Sequence, residues 1–450
     1  MISSRDTMAL RLSRMVRFPT VSHEDDEQMD FSAFSAFHAY LKETYPRVHK
    51  TMTLEIIGKA GLLYHWASPK KKKKAPVMLT THQDVVPALE PGWTYPPYSG
   101  MIANGFVWGR GSSDSKSLLL AHMEALEALI EDGFVPDYDI YLGYGYNEEV
   151  GGGKNGSSAK MICQTLEQRG VRLGILIDEG GFITPGEKIG AKGLVANIYI
   201  AEKGTGNYLI YKEGKAGHTA APGKTNLVAD LAKAITKLSE KTMECRITEP
   251  LKQELALLAP YAGENRELLL HAEEHPEEIN QLYENDPIMQ AKMRTTIAMT
   301  MLEGSPGPQA TPSRVSVRLN CRLLQGDTQE SIREQLQQIV GDDMKVALLG
   351  GREASPVSNL NCREFSVLKK AICQEHPDAE VFPTLLCAGT DARFYYPICD
   401  CVCRFTGFLD LLCEGKSGHC VDERFAIATL DSSAKLFYRF LKMNCEDTQE

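Results

Sequence analysis

The chain has 450 residues, too many for one ordinary hydrophobic core, so two domains are expected. Its 43% hydrophobic and 24% charged residues are those of a soluble globular protein. A net charge of −10 argues against a nucleic-acid or anionic-membrane partner, and no apolar run approaches the roughly 20 residues that span a bilayer.

Residues 1–50 read as helical, with Met, Leu, Val and Phe at helical spacing and arginines between them in the first 22. A targeting presequence has a similar composition, but Asp6 and the direct run into the next element favour the first helix of the mature protein. Residues 51–87 read as a strand pair ending in TTHQDVVP, with the basic run 70–74 as a solvated loop. A helix is expected over 116–132 and a buried strand over 138–146, where YDIYLGYGY alternates at period two. A second helix over 154–169 and an apolar strand over 173–177 follow, the latter ending in Asp178-Glu179-Gly180-Gly181. This strand–helix–strand rhythm, with polar residues at strand ends, predicts an open α/β sheet with its site at the carboxyl edge.

From about residue 204 the pattern changes. A strand and loop (TGNYLIYKEGKAGHTAAP), a helix over 225–241 and a charged helical stretch over 248–293 precede strands at 295–302 and 313–324. A helix over 328–340 and a short strand near Gly350 complete what reads as an inserted α+β unit, 204–352. Residues 353–450 resume helix–strand alternation and close on an amphipathic helix, 423–443. There are no internal repeats. The twelve cysteines, with no signal peptide or short disulfide framework, are expected as reduced thiols in a cytoplasm.

The chemistry concentrates at strand ends. Glu148 and Glu149 are adjacent carboxylates after the central strand, costly to desolvate together unless a cation lies beside them. His82 and Asp84 are two apart, so in an extended chain they share one face and the carboxylate can orient the imidazole. Asp114 precedes a helix that it could simply cap, yet Asp178 and His419 repeat the same placement of metal-ligand residue types. Two histidines and several carboxylates suit a pair of borderline divalent ions, zinc first, with cobalt or manganese as substitutes. One glutamate would stay off the metals to take a proton from water. Cys399, Cys401 and Cys403 alternate, with Cys413 and Cys420 after them, and could make a rival thiolate site; the same alternation describes one buried strand face.

The motifs THQDVVP, GRGSSDSK, NEEVGG, DEGG, GHTAAP, AGTDARF and GHCVDER occur in this order along nearly the whole chain. In them the chain resembles the aminoacylase/carboxypeptidase G family of two-zinc amide hydrolases. It is most similar to the carboxypeptidase S branch, which includes enzymes that hydrolyse or form N-fatty-acyl amino acids. The resemblance implies a zinc-peptidase-like catalytic domain, 1–203 and 353–450, with an inserted α+β lid/dimerisation domain, 204–352. It implies that His82 and Asp178 bind one ion, Glu149 and His419 the other, and Asp114 both. Glu148 would be the general base and Asp84 would orient His82. His218 would polarise the scissile carbonyl and Arg322 would hold the substrate carboxylate. Gln309 stands where the family usually has an asparagine, a departure that changes the local substrate contact.

The implied activity is hydrolysis of a peptide or N-acyl amino acid bearing a free C-terminal carboxylate, by metal-activated water. Aminoacylase, dipeptidase and N-fatty-acyl amino-acid hydrolase or synthase are the alternatives within the class. A non-catalytic metal-dependent binding protein would have lost a base or ligand, and none is missing. A homodimer formed through the lid is the expected assembly.

Overall fold

The computed structural model describes residues 1–71, 73–89, 91–223, 226–305, 307–410 and 418–446. The chain divides into two compact units, Met1–Ile200 with Ser358–Pro383 and Thr390–Glu450, and Ala201–Val357 with Thr384–Gly389.

The first unit is built on an eight-stranded mixed sheet. Its order is Thr53–Ile57, Gly61–Trp66, Ile140–Gly145, Val77–His82, Ile175–Pro185, Val402–Leu409, Leu194–Glu202 and Ala379–Leu386. The four strands from Ile140–Gly145 to Val402–Leu409 run parallel. Both faces are covered, as parallel sheets require. Leu79, Leu142 and Ile177 point to the core that holds helix Lys116–Glu131. Met78, Tyr141 and Leu176 point the other way, to Ile162, Cys163 and Leu166 of helix Ser158–Gln168. Each such buried aliphatic side chain contributes about 1.5–3 kcal/mol. The chain thus leaves Val77–His82 toward one face and Ile140–Gly145 toward the other, which opens a crevice at their carboxyl ends.

The second unit carries a four-stranded antiparallel sheet, ordered Thr296–Glu303, Arg314–Leu323, Gly204–Glu213 and Lys345–Arg352. Leu231, Ala234 and Leu238 of Leu227–Glu240 and Ile332, Leu336 and Val340 of Gln329–Val340 cover one face. The charged stretch is helical but broken. Glu249–Leu258, Pro276–Leu282 and Pro287–Met293 each carry a proline in the first turn, where its missing N–H costs nothing and its fixed φ suits a helix start.

Three expected boundaries move. The helix expected from 154 begins at Ser158, because the Ser157 hydroxyl caps it by accepting from the Lys160 N–H. The strand expected to end at 177 runs on to Pro185. The last helix spans Ser432–Met443 rather than 423–443. Arg424–Ala426 instead pairs with Phe106–Trp108, where the Arg424 guanidinium lies over the rings of Phe106 and Trp108.

Gly145 closes the central strand where nothing larger fits. A Cβ there would lie 2.9 Å from Asp391 Oδ2 and 3.2 Å from Ser158 Oγ. Gly145→Ala is expected to lower stability by about 1–3 kcal/mol through overpacking. The reading is a lower urea midpoint at unchanged slope; an unchanged midpoint would show that Asp391 yields freely.

Candidate metal centre

The crevice is furnished by backbone anchors that hold carboxylates from behind. After the central strand, Asn147 is fully buried. Its Nδ2 donates to the carbonyls of Gly152 and Gly156, and its Oδ1 accepts from the N–H and hydroxyl of Ser158. The three glycines that follow Val150 all have positive φ, so the chain can fold back under the two glutamates. Asp84 then fixes the glutamates themselves: its two oxygens accept from the N–H groups of Glu148 and Glu149, each at 3.2 Å. His82 Nδ1 lies 3.0 Å from the Asp84 carbonyl and 3.5 Å from its carboxylate. Asp84 therefore positions both the imidazole and the glutamate pair. With Nδ1 donating to the Asp84 carbonyl, His82 Nε2 is left as a lone-pair donor for a cation.

His82 Nε2 meets Asp114 Oδ1 at 3.0 Å and Glu179 Oε2 at 3.2 Å. The other oxygen of Asp114 lies 3.5 Å from His419 Nε2, which is 2.6 Å from Glu149 Oε2. One carboxylate thus stands between two imidazoles. Possible ligand atoms of His82, Glu148 and Glu179, and of His82, Asp114 and Glu149, lie within 4.8 Å of one another. Gly418 permits the approach of Asp114, since a Cβ at that position would sit 2.2 Å from Asp114 Oδ2.

Asp178, which the resemblance assigns to the first ion, is buried on the same strand as Glu179. Its Oδ2 accepts the Ala392 N–H at 2.8 Å, at the head of the short turn Asp391–Phe394, and it joins neither ligand group. The adjacent Glu179 is the residue that reaches His82. His218, Gln309 and Arg322 all belong to the second unit. His218 pairs with Ala310 in a two-residue ladder, and Gln309 accepts the Thr219 N–H through its carbonyl at 3.4 Å. Arg322, on the strand Arg314–Leu323, donates to Thr205 Oγ1 at 3.3 Å.

The cysteines form no rival centre among the described residues. Cys401 and Cys403 share the main core with their sulfurs 4.0 Å apart, whereas Cys399 packs on the opposite side and donates to the Cys401 carbonyl. Cys413 lies outside the described residues. Residues that motif reading passed over are Glu179, Asp391 and the pair Arg110–Glu423. Each sits inside a quoted motif, which was the available signal.

The electrostatics fit a bound cation. Burial raises the carboxyl pKa of Glu148, Glu149 and Glu179, with Glu179 and Asp391 adding to the effect at Glu148. Asp178 and Asp391 are each pushed up to about 6, by burial first. Burial works against a charge on His82, but Glu179, Asp114 and Asp84 hold its pKa well above the ordinary value. Glu149 Oε1 and Asp391 Oδ2 are buried without a hydrogen-bond partner. A cluster of like charges with orphaned oxygens and two imidazoles is a donor set for divalent metal.

This is the active-site chemistry of a metal-dependent hydrolase, and the comparisons agree. Residues 78–443 match the profile of peptidase family M20/M25/M40. The chain is 29% identical over 446 residues to probable carboxypeptidase S-like 2 of Dictyostelium discoideum, covering 97% of this chain and 84% of that one. It is 30% identical over 455 residues to the N-fatty-acyl-amino acid synthase/hydrolase PM20D1 of Mus musculus, covering 98% and 88%. An M20 family metallo-carboxypeptidase from Sulfolobus solfataricus shares the fold, with a TM-score of 0.68 at 18% identity over 97% of this chain and 98% of that one. The chain belongs to peptidase family M20/M25/M40. It is a metallopeptidase-type amidohydrolase.

The titrations set the pH response of the metal-free protein. Burial opposes ionisation of Asp114 too, but His82 and His419 hold its pKa below the ordinary value, so its contribution has the opposite sign and changes only below about pH 4. Glu148, Glu149, Asp178, Glu179, Asp391, His82 and His419 all have their folded pKa raised, so through them the folded state binds more protons than the unfolded one. Their contribution is fully present below the unfolded carboxyl values of about 4 and is lost as pH rises through the folded values. The Tm of chelated protein should therefore fall between about pH 5 and pH 8. Divalent metal should remove most of that fall. Equal slopes with and without metal, by scanning calorimetry, would show that the cluster is not the cause.

Proposed function

We propose that this chain hydrolyses the amide bond of a peptide or N-acyl amino acid ending in a free carboxylate, with two divalent ions, zinc by donor type. The observation that carries the reading is Asp114, whose two oxygens face His82 and His419 at 3.0 Å and 3.5 Å. His82, Asp114 and Glu179 would hold one ion, Glu179 replacing Asp178. Asp114, Glu149 and His419 would hold the other. When bound, the ions polarise the scissile carbonyl and make water acidic enough to deprotonate near neutral pH.

Glu148 acts as the general base. It stands in the His82–Glu179 group, and the assignment above leaves it off the ions. Its raised pKa suits a carboxylate that takes a proton from water and returns it to the leaving amine. Asp84 holds Glu148 by its N–H and His82 by Nδ1, so base and ligand keep a fixed relation.

His218 Nδ1 accepts the Ala220 N–H at 3.0 Å, which leaves the proton on Nε2 for donation to a substrate carbonyl. Arg322 would pair with the substrate carboxylate and Gln309 would donate to the substrate in place of the family's asparagine. Similarity to proteins named carboxypeptidase S-like and N-fatty-acyl-amino acid synthase/hydrolase supports this substrate class, because both names describe an amide whose amine side is an amino acid.

A homodimer through the second unit fits the edge strand Thr296–Glu303, which exposes Met299, Met301 and Leu302. A cytoplasmic location is supported by the eleven described cysteines, all of them free. No helix among the described residues is long and apolar enough to cross a membrane.

The direct test loads chelated protein with Zn²⁺ and offers N-acetyl and N-lauroyl amino acids, Gly-Xaa dipeptides and their C-terminal amides. Metal-dependent release of the free amino acid, absent for the amides, is expected; equal turnover of the amides overturns the carboxylate requirement. Glu148→Gln should keep its metal and lose about 10²–10⁴ in kcat, whereas Glu149→Gln should lose metal. Ordinary turnover by Glu148→Gln would exclude it as the base.

Arg322→Ala should cost roughly 1.5–3 kcal/mol of binding for a carboxylate substrate and little for its amide. Equal losses on both, from inhibition constants of the paired analogues, would make Arg322 structural.

A further inference from the structure

The turn 418–423 touches the loop that carries Asp114 at both of its ends. At one end Gly418 packs against the Asp114 carboxylate. At the other, the Glu423 side chain is 0% exposed and enters the loop from behind. Its Oε1 accepts the backbone N–H groups of Gly111, Ser113 and Asp114 at 3.0, 2.9 and 3.1 Å. Its Oε2 pairs at 2.7 Å with Arg110 Nη1, which also donates to the Cys420 carbonyl. Between these ends, His419 and Asp422 both adopt left-handed backbone, with φ of 69° and 64°. Besides glycine, aspartate and histidine are among the residues that tolerate this region, so both fit the turn, each at a modest local cost.

A buried carboxylate–guanidinium pair adds little net stability over apolar packing of the same volume. Three N–H groups converging on one oxygen do something packing cannot: they fix where the backbone of residues 111–114 must run. That backbone decides whether one carboxylate can face His82 and His419 together.

We infer that Glu423 is a positioning residue for Asp114, setting, through the loop backbone, the spacing between the two metal positions. Arg110 neutralises Glu423 and ties it to the same turn, so the segment that supplies His419 also aligns the carboxylate His419 must share. The inference rests on the two-ion reading given above. It predicts a site that fails by losing one ion rather than by unfolding.

Chelated protein is titrated with Co²⁺ by calorimetry and visible absorption, and kcat and KM are then measured on the loaded enzyme. Wild type takes up two ions per chain; fewer than two overturns the two-ion reading itself, independently of Glu423. In Glu423→Gln one of the two ions binds about 10–100-fold more weakly, and the Co²⁺ absorption band changes. Its kcat falls while KM stays within about twofold. Asp422→Asn serves as the control on the same turn, because Asp422 binds Thr94 through its N–H and hydroxyl. It lowers Tm but leaves both Co²⁺ affinities unchanged. If Glu423→Gln does not fold, Glu423→Asp keeps the charge beside Arg110, draws the oxygen back by one methylene and carries the same expectation. Unchanged affinities and absorption in a folded Glu423 variant overturn the inference, as does an equal loss of Co²⁺ affinity in Asp422→Asn.

Discussion

Like charges held together out of water are the constraint on which this site depends. Asp84, Asp114, Glu148, Glu149, Asp178, Glu179 and Asp391 gather at one edge of one sheet, and burial opposes ionisation of most of them. Side chains free to rotate would separate under that repulsion. They are held because the anchoring acts on the chain behind them. Asp84 binds the N–H groups of Glu148 and Glu149, Asn147 binds the turn beneath them, and Ala392 binds Asp178. The fold therefore carries an electrostatic cost that a divalent cation offsets, and the cost and the function share one cause.

The sheet supplies the rigidity this requires. Its parallel strands are covered on both faces, so their carboxyl ends can move only with the whole layer. The parallel strands Val77–His82 and Ile140–Gly145 lead to helices on opposite faces, which leaves space at their carboxyl ends.

Much of this was legible in the sequence, because period-two alternation and strand-end acids are local signals. The central strand, the Lys116–Glu131 helix and the segregated strands of the second unit follow from such patterns. Contacts distant in sequence were not legible. The bond from the Ala392 N–H to Asp178, 214 residues away, could not be read from the motif. Arg424–Ala426 carries helical periodicity, but its pairing with Phe106–Trp108 draws it into a strand. Glu423 lies inside a motif, yet only its contacts with residues 110–114, 309 to 313 positions earlier, show what it does.

The first unit is assembled from three separate stretches of chain, and its last stretch contributes both an inner strand and the turn 418–423. On a ribosome these pieces emerge in order. A nascent chain that has passed residue 357 has all of the second unit but Thr384–Gly389, whereas the first still lacks Val402–Leu409, the second parallel neighbour of Ile175–Pro185, and the hold of Glu423 on the loop of Asp114. Domains generally fold as units during synthesis. The carboxylates at residues 84–179 must then wait, unpaired with His419, until the turn 418–423 has been made. A chain released before residue 419 carries these acids without the imidazole that faces Asp114 and Glu149.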